Sequence, residues 1–495
     1  MSPGTLLLLF IATAATPAQD RKPQPGALKL SGMFKDHMVL QRETDAAIWG
    51  TARPGATVVV SPSWSKESAQ TTADRDGNWQ TAVTTPAAGG PFKVAVTCGS
   101  ESKQLSDVLV GEVWICSGQS NMQWKLRGFG VDHFKEDVEK AKFPRIRFCD
   151  VPQVIALEGQ NQVNAKWTVC SPQTALAFSA VGYFFGSRLH RDLDVPIGLI
   201  STNWGGSSAE AWVSPEVLKK DFPEFNPQFA TNAKIAKQTG VLFSRANKPP
   251  RGLNQRNPGV LYNSMIQPLI PFSFRGVVWY QGESNVKEPE QYRTLFPAMV
   301  RDWRSRWGRG DFPFYFVQIA PFAYKREPVS AAFLREAQTM ALSEPNTGMV
   351  VTMDIGNPNN IHPKQKKPVG ERLALLALKH DYDRKELVAS GPMYASHEVE
   401  GGTVRLRFKD VGGGLVSRDK KPLTHFTVAG ADKNFVPAKA VIDGGSIVVG
   451  SDEVKEPVAV RFAWGSGDMP NLSNRDGLPA SSFRTDDWPI RPQGQ

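Results

Sequence analysis

The sequence predicts an α/β fold: a parallel-sheet core with helices on both faces and a β-sandwich module at each end. Three observations predict it. Between about residues 110 and 390, short apolar runs alternate with segments of helical period, the mark of βαβ units. On either side of that stretch, short strands follow one another with Gly, Pro and Asn turns between them, the pattern of a sandwich. Finally, the loops that follow the core strands are rich in Gly, Ser and Asn, as expected where an open sheet meets its ligand.

Taken in order, the first 18 residues, MSPGTLLLLFIATAATPA, read as a secretory signal, with a short apolar core from Leu6 through Ala15 and a small-residue exit. This predicts an exported protein, periplasmic or extracellular. The apolar run is too short to span a bilayer, and no later segment is long enough, so no membrane insertion is expected. Residues 19–109 form the first β module, with strands near 46–50, 57–61 and 92–96 and turns at Arg53-Pro54-Gly55, Asp76-Gly77-Asn78 and Ala88-Gly89-Gly90-Pro91. The core spans 110–390. Its expected strands are 113–116, 197–200, 277–280, 314–319 and 349–353, and its helices 178–193, 290–307, 331–343 and 369–378. A polar stretch at 216–259 reads as an insertion or lid. Residues 391–495 return to short strands, near 404–408, 426–429, 446–449 and 458–462.

With 495 residues the chain has room for two or three units, and 41% apolar with 21% charged residues places it among globular rather than disordered proteins. Its net charge of +10 is scattered; the basic clusters at 364–367 and 418–421 are short, and no nucleic-acid module is present, so no nucleic-acid partner is expected. The spacing of Cys98, Cys116, Cys149 and Cys170 fits no zinc pattern. Export permits disulfides, and Cys149–Cys170 is the most plausible pair, with Cys116 a buried free thiol.

Four polar sets lie just after core strands: Ser117-Gly118-Gln119-Ser120-Asn121, the run from Ser201 to Ser208, Gln281-Gly282-Glu283-Ser284-Asn285, and the run from Asp354 to Pro363. In a parallel sheet all four converge on one edge. Together they hold a hydroxyl, an imidazole, glycines and amides, the groups that acyl transfer needs as nucleophile, base and oxyanion donors. A serine in such a turn is more often a cap, and a lone histidine more often structural. Of seven histidines, only His362 falls in a loop between a core strand and a helix, and its coincidence with the other three sets favours catalysis. His190 and His380 end helices, where they suit the negative pole of the dipole.

GEVWICSGQSNMQW, NWGGSSAEAW, GVLYNSMIQPLIPFSFRGVVWYQGESNV and MDIGNPNNIHPKQKKPVGERLAL closely resemble the sialate O-acetylesterase family of the SGNH hydrolases, in the same order, from about Phe34 to Trp488. The resemblance implies a flavodoxin-like esterase domain with accessory β modules, removing O-acetyl groups from sugars with no metal or other cofactor. It implies Ser120 as nucleophile and His362 as general base. The oxyanion would be bound by the backbone N–H of Ser120, that of Gly205 or Gly206, and an amide from Gln281 or Asn285, with Gln119, Asn121 and Glu283 in support. Many relatives place Asp three residues before the histidine; here that residue is Asn359, so Asn359, Asp354 and a backbone carbonyl are the candidates to orient His362.

The expected partner is an O-acetylated sugar or glycan. Trp124, Trp204 and Trp212 are candidates to stack on a sugar ring, and Arg127, Arg251 and Arg256 to bind the carboxylate of a sialic acid. The rival readings are an acetylxylan or other polysaccharide esterase, a carbohydrate-binding protein with a dead hydrolase core, and a peptidase or lipase. The oligomeric state is left open.

Overall fold

A computed structural model describes residues 27–129, 133–244, 246–325 and 329–489, so the expected signal segment, 1–18, lies outside the described residues. The core strands are β1 (Glu101–Gly118), β2 (Ile146–Asp150), β3 (Lys166–Val169), β4 (Ile197–Asn203), β5 (Gly276–Tyr280), β6 (Phe314–Val317) and β7 (Thr347–Val350). They lie in the order β3-β2-β4-β1-β5-β6-β7. All neighbours are parallel except β3, which runs antiparallel to β2. From β1 the chain first builds outward through β2–β4 and then returns to the other side at β5. The carboxyl end of β1 is therefore a topological switch point, where open α/β sheets bind ligands.

Alternation along the strands separates two cores. Trp114, Cys116, Val278 and Tyr280 face a cluster containing α2 (Ala180–Leu193) and α5 (Lys366–Asp381); α1 is the short Ser120–Gln123 turn. Val113, Ile115, Val277 and Trp279 face the other, which holds Leu295 and Trp303 of α3 (Pro289–Trp307) and Leu334 of α4 (Ser330–Met340). Local signals set the helix ends. The Ser179 hydroxyl caps α2 by accepting from Gly182 N–H at 3.0 Å, and α3 starts on Pro289 and stops at Gly308 in the left-handed region (φ 62°).

The amino-terminal module is built onto the core strand. The first half of β1 pairs with Gly89–Cys98 and Val39–Gln41, and the second half with β4 and β5. The expected boundary between 109 and 110 thus falls inside one continuous strand. The carboxyl-terminal residues form two four-stranded sheets and a two-stranded one. They are fastened to α4 by the fully buried Arg335, which donates to Ser482 Oγ at 3.1 Å and to the carbonyls of Ala463, Gly465 and Ser466 at 2.9–3.3 Å. In the expected insertion, 216–259, lie two helices, Pro215–Asp221 and Asn226–Thr239, and a strand, Leu242–Phe243, paired with Ile155–Ala156.

The Cys149–Cys170 pairing is corrected: all four cysteines are free. β2 and β3 place Cys149 opposite Trp167, whereas Cys170 N–H bonds to the Ile146 carbonyl, three residues along. The two thiols also lie in different cores, on opposite faces of the sheet. Burial pushes the Cys170 thiol up to about 12.

Glu112 in β1 is the electrostatic joint between module and core. It is fully buried and accepts from Gln41 (3.1 Å), Arg42 (2.5 Å), Arg275 (3.0 Å) and the Tyr382 hydroxyl (3.0 Å). Burial, the largest influence, opposes its charge, but the contacts with Arg275, Gln41 and Arg42 together outweigh it and hold the carboxyl below its ordinary range. Glu112→Ala leaves two arginines without their acceptor. It is expected to destabilise the chain by about 3 kcal/mol, read as a lower midpoint of guanidinium unfolding.

Candidate active site

The carboxyl ends of three strands finish on one rung: Gly118 of β1 is opposite Asn203 of β4 and Tyr280 of β5. Their loops are then stitched together by backbone. Trp204 N–H donates to the Gly118 carbonyl at 3.0 Å, and Gln119 N–H to the Tyr280 carbonyl at 2.9 Å. The strand can turn this sharply because residue 118 is glycine: its φ is 132°, and a β-carbon there would meet the Tyr280 carbonyl oxygen at 2.2 Å. The Gln119 side chain completes the link by accepting from Gly282 N–H (3.3 Å) and Ser284 N–H (3.2 Å). Ser179, the cap of α2, donates to the Met122 carbonyl at 2.6 Å and pins the far side of α1.

This turn presents Ser120, half-buried, to His362. The imidazole Nε2 stands 2.8 Å from Ser120 Oγ, so a neutral His362 accepts the hydroxyl proton. Asx turns hold the histidine loop: Asn357 Oδ1 accepts from Asn359 N–H, and Asn360 Oδ1 from His362 N–H, each at 2.9 Å. The Trp124 ring lies against the imidazole, centroids 4.5 Å apart and planes 36° apart. Burial, with a smaller contribution from the Lys366 charge, holds His362 below its ordinary value of 6.5.

Several expected roles are corrected. Asp354 does not reach His362; its carboxylate forms a bidentate pair with Arg372 of α5 at 2.6 and 2.8 Å. Asn359 is exposed on the cleft wall. Among the described residues, His362 Nδ1 has no hydrogen-bond partner. Gln281 and Asn285 do not point at Ser120 but brace each other. Gln281 is fully buried, donating to Asn285 Oδ1 at 2.6 Å and accepting from the Tyr292 hydroxyl at 3.1 Å. Asn285 in turn donates to Glu210 at 3.0 Å and accepts from Ala209 N–H at 2.9 Å. Both amides come off a strand end, but their side chains are consumed by the scaffold. Gly205 N–H is occupied by Gln123 Oε1 at 2.5 Å, whereas Gly206 N–H has no acceptor among the described residues. Ser120 opens α1, so its own N–H has no acceptor within the helix.

Trp212 is core: fully buried, it donates to Ser207 Oγ at 2.9 Å and packs edge-on against Trp279. Trp204 is half-buried against the same core, and Trp124 backs the imidazole. Arg127 lines a small depression of about 280 Å³ on the Trp124 side of Ser120.

On the other side opens the main cleft, about 1050 Å³, floored by Ser120, Gly206 and His362. Its walls carry Arg256, Lys287 and Lys325, from three separate loops, and, among the described lining residues, the buried carboxyl of Glu283. Among the described residues of the expected insertion, Arg256 lines it, held by donation from its Nε to the Gly206 carbonyl at 2.8 Å. Sequence reading missed Lys287, Phe322, Tyr324 and Lys325. The same strand-end rule, applied to the loop after β6, leads to the last three, but that loop opens as Ala320-Pro321-Phe322-Ala323 and carries no polar signature.

A serine hydroxyl 2.8 Å from an imidazole nitrogen, at the switch point of a parallel sheet, is the arrangement of the acyl-transfer class of hydrolases. The comparisons make this particular. The family model described as "Carbohydrate esterase, sialic acid-specific acetylesterase" matches residues 110–379. A sialate O-acetylesterase from Pongo abelii is 32% identical over 480 residues, covering 88% of this chain and 87% of its own. One from Homo sapiens is 32% identical over 402 residues, covering 74% of this chain and 73% of its own. A crystal structure of a carbohydrate acetylesterase from Xanthomonas citri, 38% identical, superposes with a TM-score of 0.82 and covers 93% of this chain and 100% of its own. The chain belongs to the sialic acid-specific acetylesterase family of carbohydrate esterases, and is an ester hydrolase.

Two outcomes follow from the geometry. Asp354→Asn is expected to lower the unfolding midpoint while leaving kcat on an aryl acetate within about threefold, where loss of an orienting carboxylate costs about 10⁴-fold. A general base works only when neutral, and a lowered pKa keeps it neutral to more acidic pH. The acid limb of kcat/KM is therefore expected to have its midpoint below 6.5, in a pH–rate profile.

Proposed function

We propose that the protein removes O-acetyl groups from sialic acids through an acetyl-serine intermediate. His362 Nε2 takes the Ser120 proton as Oγ attacks the acetyl carbonyl. The oxyanion that forms is held by the N–H groups of Ser120 and Gly206. The tetrahedral species collapses, the sugar hydroxyl leaves with the proton carried by His362, and water, activated by the same imidazole, releases acetate and restores Ser120.

One observation carries the choice of substrate. The cleft over the Ser120–His362 pair is lined by Arg256, whose guanidinium is held beside the pair by donation to the Gly206 carbonyl at 2.8 Å. A neutral acetylated sugar has no use for that charge, whereas a sialic acid presents a carboxylate that a guanidinium binds well. The substrates named for the curated relatives support the same choice. The apolar segment from Leu6 to Ala15 supports action outside the cytosol.

The test is acetate release from 9-O-acetylated sialic acid and from acetylxylan. Release from the sialic acid, falling by about 10⁴-fold or more in Ser120→Ala, is the expected result. Arg256→Ala is expected to raise KM for the acetylated sialic acid by about tenfold and to leave KM for a neutral acetylated sugar unchanged. Release from acetylxylan alone would move the substrate to neutral polysaccharide, and an active Ser120→Ala would remove the serine mechanism.

A further inference from the structure

Lys366 belongs to the short basic cluster at 364–367, yet its side chain is fully buried. A buried ammonium needs partners. Its Nζ donates to Asn121 Oδ1 at 2.5 Å and lies 5.5 Å from the centre of the Tyr280 ring. The Asn121 amide donates in turn to Glu283 Oε1 and, at 3.1 Å, to the Ile361 carbonyl. Glu283 Oε2 is enclosed and has no hydrogen-bond partner among the described residues.

Asn121 follows Ser120 directly, and Ile361 directly precedes His362. A single amide, polarised between a cation and a carboxylate, therefore ties the two reacting residues together through their neighbours. No carboxylate does this from the other end, since Asp354 is taken by Arg372.

We propose that Lys366, acting through Asn121 and Glu283, is a positioning residue of the reaction: it locks the Ser120 turn to the His362 loop, and its charge keeps the imidazole free to accept the Ser120 proton. The proposal rests on the reading of Ser120 and His362 as nucleophile and base. The titratable groups that face Lys366 are Glu283, Tyr280 and His362. Burial pulls Lys366 down to about 7, with Glu283 pulling the other way, so the ammonium is charged in the acidic range where His362 would otherwise be protonated. Burial and then that charge push His362 down, the direction the proposal requires.

The test is the rate at which a fluorophosphonate labels Ser120, followed from about pH 4.5 to about pH 8 in the full chain, in Lys366→Met and in Glu283→Gln. Unfolding midpoints are taken alongside. In Lys366→Met, labelling is expected to slow by about 10- to 100-fold and its acid limb to move up by about one pH unit. A folded variant that is slow but keeps the parent's acid limb would make Lys366 merely structural and overturn the proposal. Glu283→Gln keeps the shape and the acceptor for Asn121 but removes the charge that holds a proton on Lys366, so its acid limb is also expected to move up. An unmoved limb there would overturn the electrostatic part even if Lys366→Met failed to fold. A parent chain not labelled at Ser120 would overturn the nucleophile reading beneath the proposal.

Discussion

The last rung of the parallel sheet is the constraint on which the rest of the site depends. Gly118, Asn203 and Tyr280 lie side by side, and the backbone around Gly118 bonds to both neighbouring loops. Nothing about Ser120 makes it a nucleophile in isolation. The proposed role arises because a strand fixed on both sides ends in a turn that only glycine permits, and that turn aims the hydroxyl at the imidazole. A shift of one residue in the register of β1 would send the serine to the opposite face.

Charge is distributed around that turn in two layers. Behind it, enclosed by protein, Lys366 and Glu283 are joined by an amide, and desolvation brings their ionised forms close to their limits. In front, Arg256, Lys287 and Lys325 line the open cleft. The two layers act differently. Exposed cations are screened by salt. The buried groups are hardly screened. The carboxylate that the sequence suggests for the imidazole serves stability instead, since Asp354 closes α5 onto the sheet through Arg372.

The fold was largely legible because its signals are local. Expected strands and helices lie within a few residues of those found: the helix expected at 178–193 is Ala180–Leu193, the one at 290–307 is Pro289–Trp307, and the strand at 277–280 is Gly276–Tyr280. Strand 349–353 was less accurate. Pairing with β6 covers Thr347–Val350 only, and the chain leaves the sheet after Val350 although Val351, Thr352 and Met353 remain buried. Apolar patterning reports burial, and burial outlasts the ladder. Ser120 and His362 were legible because both sit at strand-end loops beside glycines and amides. The roles of Gln281, Asn285 and Trp212 were not, because which way a side chain turns after the last rung depends on neighbours far away in sequence, such as Tyr292, Ala209 and Trp279.

What the sequence by itself determined is the class of fold, the edge of the sheet at which chemistry happens, and the two residues that meet there, because periodicity, turn chemistry and loop composition are properties of short stretches. What only the tertiary structure decided is the pairing of distant polar groups. Asp354 went to Arg372 rather than to His362, Gly205 N–H to Gln123, and Lys366 to Asn121 and not to solvent. Each of those choices sets one desolvated group against the nearest complementary one, and which group is nearest is known only once the loops are folded over the sheet.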